Sequence, residues 1–317
     1  MSMIPFEDLF VINIGAVGDL DYGVTGGIKK RVHLAAIDAV GALKFKASEF
    51  LEYLPLDKVI AGRAGPRRFY VRKYQGCSSL LQPKMHLVKK YGLERFYELE
   101  KELEVDCITL KQLLETHQWP RVDFLKTDAE GMDLEIIQAL ETKFLAEALV
   151  IQAELRFEPF YESEPYFHEA LTSLHENGFE LMALRPEIWK PKTHFQRFHR
   201  DGQNTWADCF FVRKIGCFSN GCARNLKQTI ARQIAICAMV GFRSYGEHLL
   251  ESNIQLFSND DRAFLLSVVQ PIALEQSLKA GRKQRLKRIL KHVRALIWGR
   301  KAASLSSQDF ELFHVVR

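Results

Sequence analysis

The sequence has no apolar run longer than the seven residues from Ile234 to Val240. Crossing a bilayer takes about 20, so no membrane-spanning helix is expected. The first residues, MSMIPFEDLF, lack the basic-then-apolar order of a secretory leader. The expected location is therefore the cytoplasm, at most peripheral at the inner membrane surface. Cysteine is sparse. The six residues, at 77, 107, 209, 217, 222 and 237, form no regular framework, and reduced thiols are expected. Cys217 and Cys222 have neither a partner pair nor zinc-knuckle spacing. His194 and His199 read as ordinary loop histidines, so no metal site is expected. Neither sign of charge dominates: 44 basic and 39 acidic residues leave a formal +5 over 317 residues. That excess is too mild to indicate nucleic acid, and no such partner is expected.

What is present is an apolar fraction of 47%, enough for a substantial core. Residues 10–14 and 32–37 read as buried strands, the first ending in Gly15 and the second on Asp38. Residues 45–53 have helical spacing through Phe45, Phe50, Leu51 and Leu54, and residues 59–61 suggest a further strand. Thr109 reads as the N-cap of a helix over 110–117. Residues 148–154 are another apolar run ending on a carboxylate, and Gly178 ends a helix over 165–177. Residues 179–184 and 209–213 read as the last strands. Strands too apolar to be half exposed, alternating with helices, predict an α/β fold. Its sheet is mainly parallel and doubly wound, with an antiparallel edge at the final strands. Beyond Lys214 only helical periodicity is found, which predicts two parts: a domain over 1–214 and a helical C-terminal extension over 215–317.

The chain is organised around residues 122–140, VDFLKTDAEGMDLEIIQAL. A short strand passes through Asp128 and Glu130, with Gly131 behind, into a helix. This layout puts functional groups at the C-terminal edge of a parallel sheet. A plainer reading stays open, in which Asp128 caps the helix and Glu130 stabilises its positive end. Upstream, Gly15 and Gly18 allow close approach to the backbone, although their pattern is not the dinucleotide fingerprint. Asp38, at the next strand end, is placed to accept hydrogen bonds from both ribose hydroxyls of a nucleoside.

These residues resemble a known family. D-F-L-K-T-D-A-E-G, with V-I-N-I-G-A-V-G-D upstream, is similar to the FkbM family of S-adenosylmethionine-dependent O-methyltransferases. So are Cys77-Ser78-Ser79-Leu80, Ile108-Thr109-Leu110, Gln152-Ala153-Glu154 with Tyr161, and Asn177-Gly178-Phe179. This chain has Asn13 where the family usually has Asp, Val17 where it has Asn, and Asp38-Ala39 where it has Glu-Pro. The resemblance spans about residues 10–214. It implies a class I (Rossmann-like) methyltransferase fold with S-adenosylmethionine across the strand ends. Asn13, Gly15, Gly18, Asp19, Asp38, Ser79 and Asp128 would then contact the cofactor. A general base would come from Asp128, Glu130 or Glu154, and Lys126 would pair with a carboxylate or contact the acceptor. The implied acceptor is a hydroxyl of a small molecule or glycan: a sugar in a glycan, glycolipid or secondary metabolite. The alternative is a non-catalytic module of the same fold whose C-terminal helices bind a partner or membrane.

The stretch from Gly281 to Lys301, GRKQRLKRILKHVRALIWGRK, has an apolar stripe at helical spacing among cations with almost no acids. Three readings compete: packing on the catalytic domain, contact with an anionic membrane surface, and binding of an acidic polymer.

Overall fold

A computed structural model of the chain describes residues 6–15, 26–39, 47–189, 202–220 and 226–270. Strands β1 (Leu9–Ile14), β2 (Val32–Ile37) and β3 (Glu52–Leu56) run parallel on one side of a seven-stranded sheet of order β3-β2-β1-β6-β7-β9-β8. On the other side β6 (Phe124–Thr127) lies parallel to β1, and β7 (Val150–Arg156) parallel to β6. Strand β9 (Gln203–Arg213) is antiparallel to β7 and to β8 (Phe179–Trp189). The sheet is thus mainly parallel with an antiparallel part, as the sequence predicts, but β9 lies inside β8. The order reverses between β1 and β6, the position where open α/β sheets leave a crevice at their carboxyl ends. A separate hairpin, β4 (Gly65–Arg72) with β5 (Leu99–Cys107), stands apart from the sheet.

Alternation along the strands separates two cores. Ile12, Ile37, Leu125 and Ile151 face one way, onto α3 (Leu110–Thr116), α4 (Asp133–Gln138), α5 (Thr142–Glu147) and α6 (Phe167–Glu176), which follow the short helices α1 (Gly26–Lys29) and α2 (Met85–Tyr91) in the chain. Leu9, Val11, Leu34, Phe124 and Val150 face the other way. They meet α7 (Leu226–Met239), α8 (Arg243–Ser252) and α9 (Asn259–Val269). Every residue of α7 from Thr229 to Met239 is buried, as expected of a helix covered on all sides.

Some expectations need correction. Of the helix predicted over 45–53, the described residues form only a 3₁₀ turn at Ala47–Glu49. Glu52–Leu56 instead extends β2 as an edge strand, a position that tolerates Pro55. Residues 59–61 contribute only an isolated bridge between Ile60 and Ile108. The compact unit does not stop at Lys214. The chain divides into Met1–Val269 and Gln270–Arg317, because the helices after Lys214 cover the second face of the sheet. Val17, Gly18, Asp19, His194, His199, Cys222 and the basic stretch from Gly281 to Lys301 lie outside the described residues. Among those described, no helix is long and apolar enough to cross a membrane. Cys77, Cys107, Cys209, Cys217 and Cys237 are free thiols.

One buried carboxylate joins the sheet to α7. Asp123, fully buried, accepts from the Phe10 backbone N–H at 2.9 Å, from Arg121 at 3.3 Å and from Arg232 of α7 at 2.8 Å. Removing its charge leaves the largely buried Arg232 guanidinium without a carboxylate partner among the described residues and Arg121 with Glu7 alone, a change that costs about 3–5 kcal/mol. Asp123→Asn should therefore lower the unfolding free energy of the whole unit by an amount in that range, read from urea denaturation as a single transition.

Candidate active site

The strand β6 ends in a tight acidic turn. Gly15, at the end of β1 with φ +70°, lies so close to it that a Cβ there would stand 2.1 Å from the Asp128 carbonyl oxygen. Its lack of a side chain therefore serves the seam between β1 and β6 as well as the cavity. Glu130 has φ +50°, a left-handed conformation that costs a non-glycine residue on the order of 1–3 kcal/mol. Ser79 helps to hold it, its hydroxyl donating to the Glu130 carbonyl at 2.7 Å. Gly131 follows at φ +93°, where a Cβ would meet Tyr161 at 3.1 Å and the Glu164 carboxyl at 3.2 Å. The turn thus presses against the loop after β7.

Asp128 does not cap α4. Asp133 reaches back instead and accepts from the Ala129 backbone N–H at 3.2 Å. This frees the Asp128 carboxylate, about a third exposed, whose cationic neighbour is Lys126 at 3.7 Å.

At the centre of the site is Arg156, 4% exposed. Its guanidinium donates to Glu130 at 2.5 Å and to Glu154 at 2.5 Å, and its Nε forms an ion pair with Glu164 at 3.2 Å. Tyr161 completes the group. Its hydroxyl donates to Glu130 at 2.8 Å, with the Cys77 carbonyl at 3.2 Å, and its backbone N–H donates to Glu164 at 2.9 Å. The guanidinium also stacks over the rings of Tyr161 and Trp206, 5.2 and 5.8 Å from their centroids.

One guanidinium cannot balance three buried carboxylates. Burial works against the charge on Arg156, but Glu154, Glu130 and Glu164 hold it on and raise its pKa well above the usual value. Burial pushes Glu154 well above the ordinary carboxylate range, and Asp128, Glu130 and Asp133 push it further against the pull of Arg156. Glu130 is raised for the same first reason. Asp133 is pushed up to about 7 by burial and by Asp128. The cluster therefore retains protons that free carboxyls would release. Asp128, Glu130 and Glu154 also bring one oxygen each within 4.8 Å of one another. That spacing suits a divalent cation, although Arg156 already engages two of the three side chains.

A cavity of about 500 Å³ opens over these groups. Gly15, Asp38, Ser79, Asp128, Glu130 and Glu154 all line it, so six residues singled out in the sequence converge. Asn13 and Lys126 are not among the lining residues. They sit side by side in the β1–β6 register, with Gln152 next on β7. Asn13 is buried and its Oδ1 makes no hydrogen bond. Sequence reasoning missed Arg156, Glu164, Trp189 and Trp206. Arg156 had a signal: two residues beyond Glu154 on a strand, it shares that side chain's face.

The Asp133 carboxyl makes a pH test possible. The folded state keeps its proton up to about pH 7, whereas the unfolded chain releases it near ~3.9. Between these values the folded state binds more protons, so stability falls as pH rises and levels off above the folded value. At ~1.4 kcal/mol per tenfold change in proton affinity, the penalty is at most on the order of 4 kcal/mol. Asp133→Asn keeps an oxygen for Ala129 and should remove Asp133's share of the decline in melting temperature between pH 5 and 8, leaving the shares of Asp123, Glu130 and Glu154, which burial also raises. An unchanged profile would show that Asp133 is ionised throughout.

A family model described as the methyltransferase FkbM domain matches residues 46–181. The match includes the acidic turn, Arg156 and Tyr161, and it begins after Gly15 and Asp38. No curated protein and no solved structure matches the chain.

Proposed function

We infer, for a chain that carries an FkbM methyltransferase domain with the class I fold, that it moves the methyl group of S-adenosylmethionine to a hydroxyl oxygen. The acceptor is a sugar in a glycan, glycolipid or secondary metabolite. The observation that carries this reading is the convergence of Gly15 and Asp38 with Asp128, Glu130 and Glu154 on one cavity at the strand ends.

The residues present fit the cofactor. The cavity volume lies within the range of small-molecule sites, about 300–1,000 Å³. Asp38, at the end of β2, offers acceptors for ribose hydroxyls, and the acid-rich centre favours a cationic sulfonium over a neutral product. When bound, S-adenosylmethionine supplies an activated methyl group.

The chain's own task is then to orient the acceptor, exclude water and take up one proton. Alignment alone is worth roughly 7–11 kcal/mol of barrier. Asp128 is the residue we assign to the acceptor hydroxyl. It is more exposed than the other two carboxylates, and its ion pair with Lys126 is long. Glu130 and Glu154 are each engaged by Arg156 at 2.5 Å and set the shape and charge of the floor.

Asp128→Asn should lower kcat/KM by about 10²–10⁴-fold. Glu130→Gln should lower it less and also release Arg156, which will show as weaker thermal stability. Normal turnover in both variants would refute the assignment. Calorimetry with millimolar S-adenosylmethionine tests the reading as a whole. The absence of any heat or thermal shift would favour a non-catalytic module.

A further inference from the structure

The strand β5 is paired on one side only. Its hairpin with β4 stands apart from the seven-stranded sheet, and among the described residues no strand lies along its outer edge. The edges of the larger sheet are blunted. β3 is five residues long and contains Pro55, and β8 carries Pro186 within its exposed half. A proline on an edge removes a donor that an incoming strand would use. The outer side of β4 is bridged to Ser79 through Tyr70. β5 has no proline and no such bridge. Its one irregularity falls opposite Val71 and Arg72, so residues 101–107 form a regular ladder strand. Residues 99–104 are all exposed.

Alternation gives this edge two distinct faces. Glu102, Glu104 and Asp106 share one face with Arg68 and Tyr70 of β4, and Leu103 and Val105 share the other with Phe69 and Val71. Arg68 forms an ion pair with Glu102 at 3.3 Å. Glu104 and Asp106 form none among the described residues. Leu103 remains 40% exposed. β4 thus covers one edge of β5 with matched chemistry: a cation against the carboxylates, apolar side chains against the leucine. The opposite edge presents the same two faces without that cover.

We propose that the outer edge of β5 docks an extended strand of a partner polypeptide, with Lys or Arg at alternate positions and apolar residues between them. Main-chain hydrogen bonds supply the attachment, and the alternating side chains supply the selection. A second copy of β5 does not fit. Two such strands side by side set carboxylates against carboxylates, or against leucine and valine. Lys101 is the one cation between residues 99 and 107. The charges that repel a copy attract a basic strand, whereas an acidic or uncharged strand leaves Glu104 and Asp106 unmatched. The edge lies outside the cavity, although β4 runs on to Tyr74 at the cavity wall. The inference is independent of the methyltransferase reading.

The test uses the full chain and a short acetylated, amidated peptide in which Lys and Val alternate. Adding it should slow amide hydrogen exchange in residues 101–106 and leave α7 unchanged. Binding, followed by fluorescence anisotropy, should weaken about tenfold in the Glu104→Gln, Asp106→Asn double variant, and it should weaken with added salt. Both substituted residues are exposed and neither lines the cavity, so the variant should keep the wild-type melting temperature. A peptide of the same residues in block order, all Lys before all Val, keeps the charge but loses the alternation. It should bind at least about tenfold more weakly and leave β5 unprotected. Equal binding of the two peptides overturns the inference, because charge alone then accounts for it. So does equal binding of a Glu–Val peptide, protection at any strand other than β5, or no binding at millimolar Lys–Val peptide.

Discussion

The site depends on one guanidinium having to serve three carboxylates. Arg156 joins the turn after β6, its own strand β7 and the loop carrying Tyr161 and Glu164. Without it, Glu130 would have little reason to keep a left-handed backbone, and the cavity floor would carry uncompensated negative charge. With it, the floor remains acidic in excess, and the excess appears as raised carboxyl pKa values. A buried ion pair contributes little net stability by itself. Its value here is geometric, because three segments distant in sequence are held around a single charge.

The parts of the fold legible in the sequence were those where one physical signal acts alone. β1, β2 and β7 are nearly continuous apolar runs because both faces of a parallel sheet are covered, and burial alone sets their composition. The Thr109 cap was equally plain, and it forms a capping box with Gln112. Where two signals compete, the reading failed. Residues 52–56 continue an apolar spacing that fits a helix, but the open edge of β2 offers a hydrogen-bonded ladder, and the chain takes it. The boundary at Lys214 failed because helical periodicity says nothing about what a helix packs against.

The acidic turn was legible as a place but not as a division of labour. Asp128 and Asp133 are both acidic and both near the start of α4, and only the coordinates show that Asp133 is the one bonded to the turn. Gly15 was read as room for a ligand, and the structure adds the seam with Asp128. The aromatic residues 74, 96, 189 and 206, which line the cavity, are too scattered for any local pattern to connect them.

The position of α7 also bears on the order in which the chain becomes a protein. The first strand, residues 9–14, rests its second face on a helix from residues 226–239. A ribosome emitting this chain from its N-terminus releases β1 long before the surface that will cover it. Leu9, Val11, Leu34 and Phe124 must wait, exposed, for about 100 further residues or more, a time on the order of 5–20 s at ordinary elongation rates. The Asp123–Arg232 pair closes that gap late. The nascent chain thus presents an apolar sheet face for much of its synthesis, which is the kind of surface that chaperones bind.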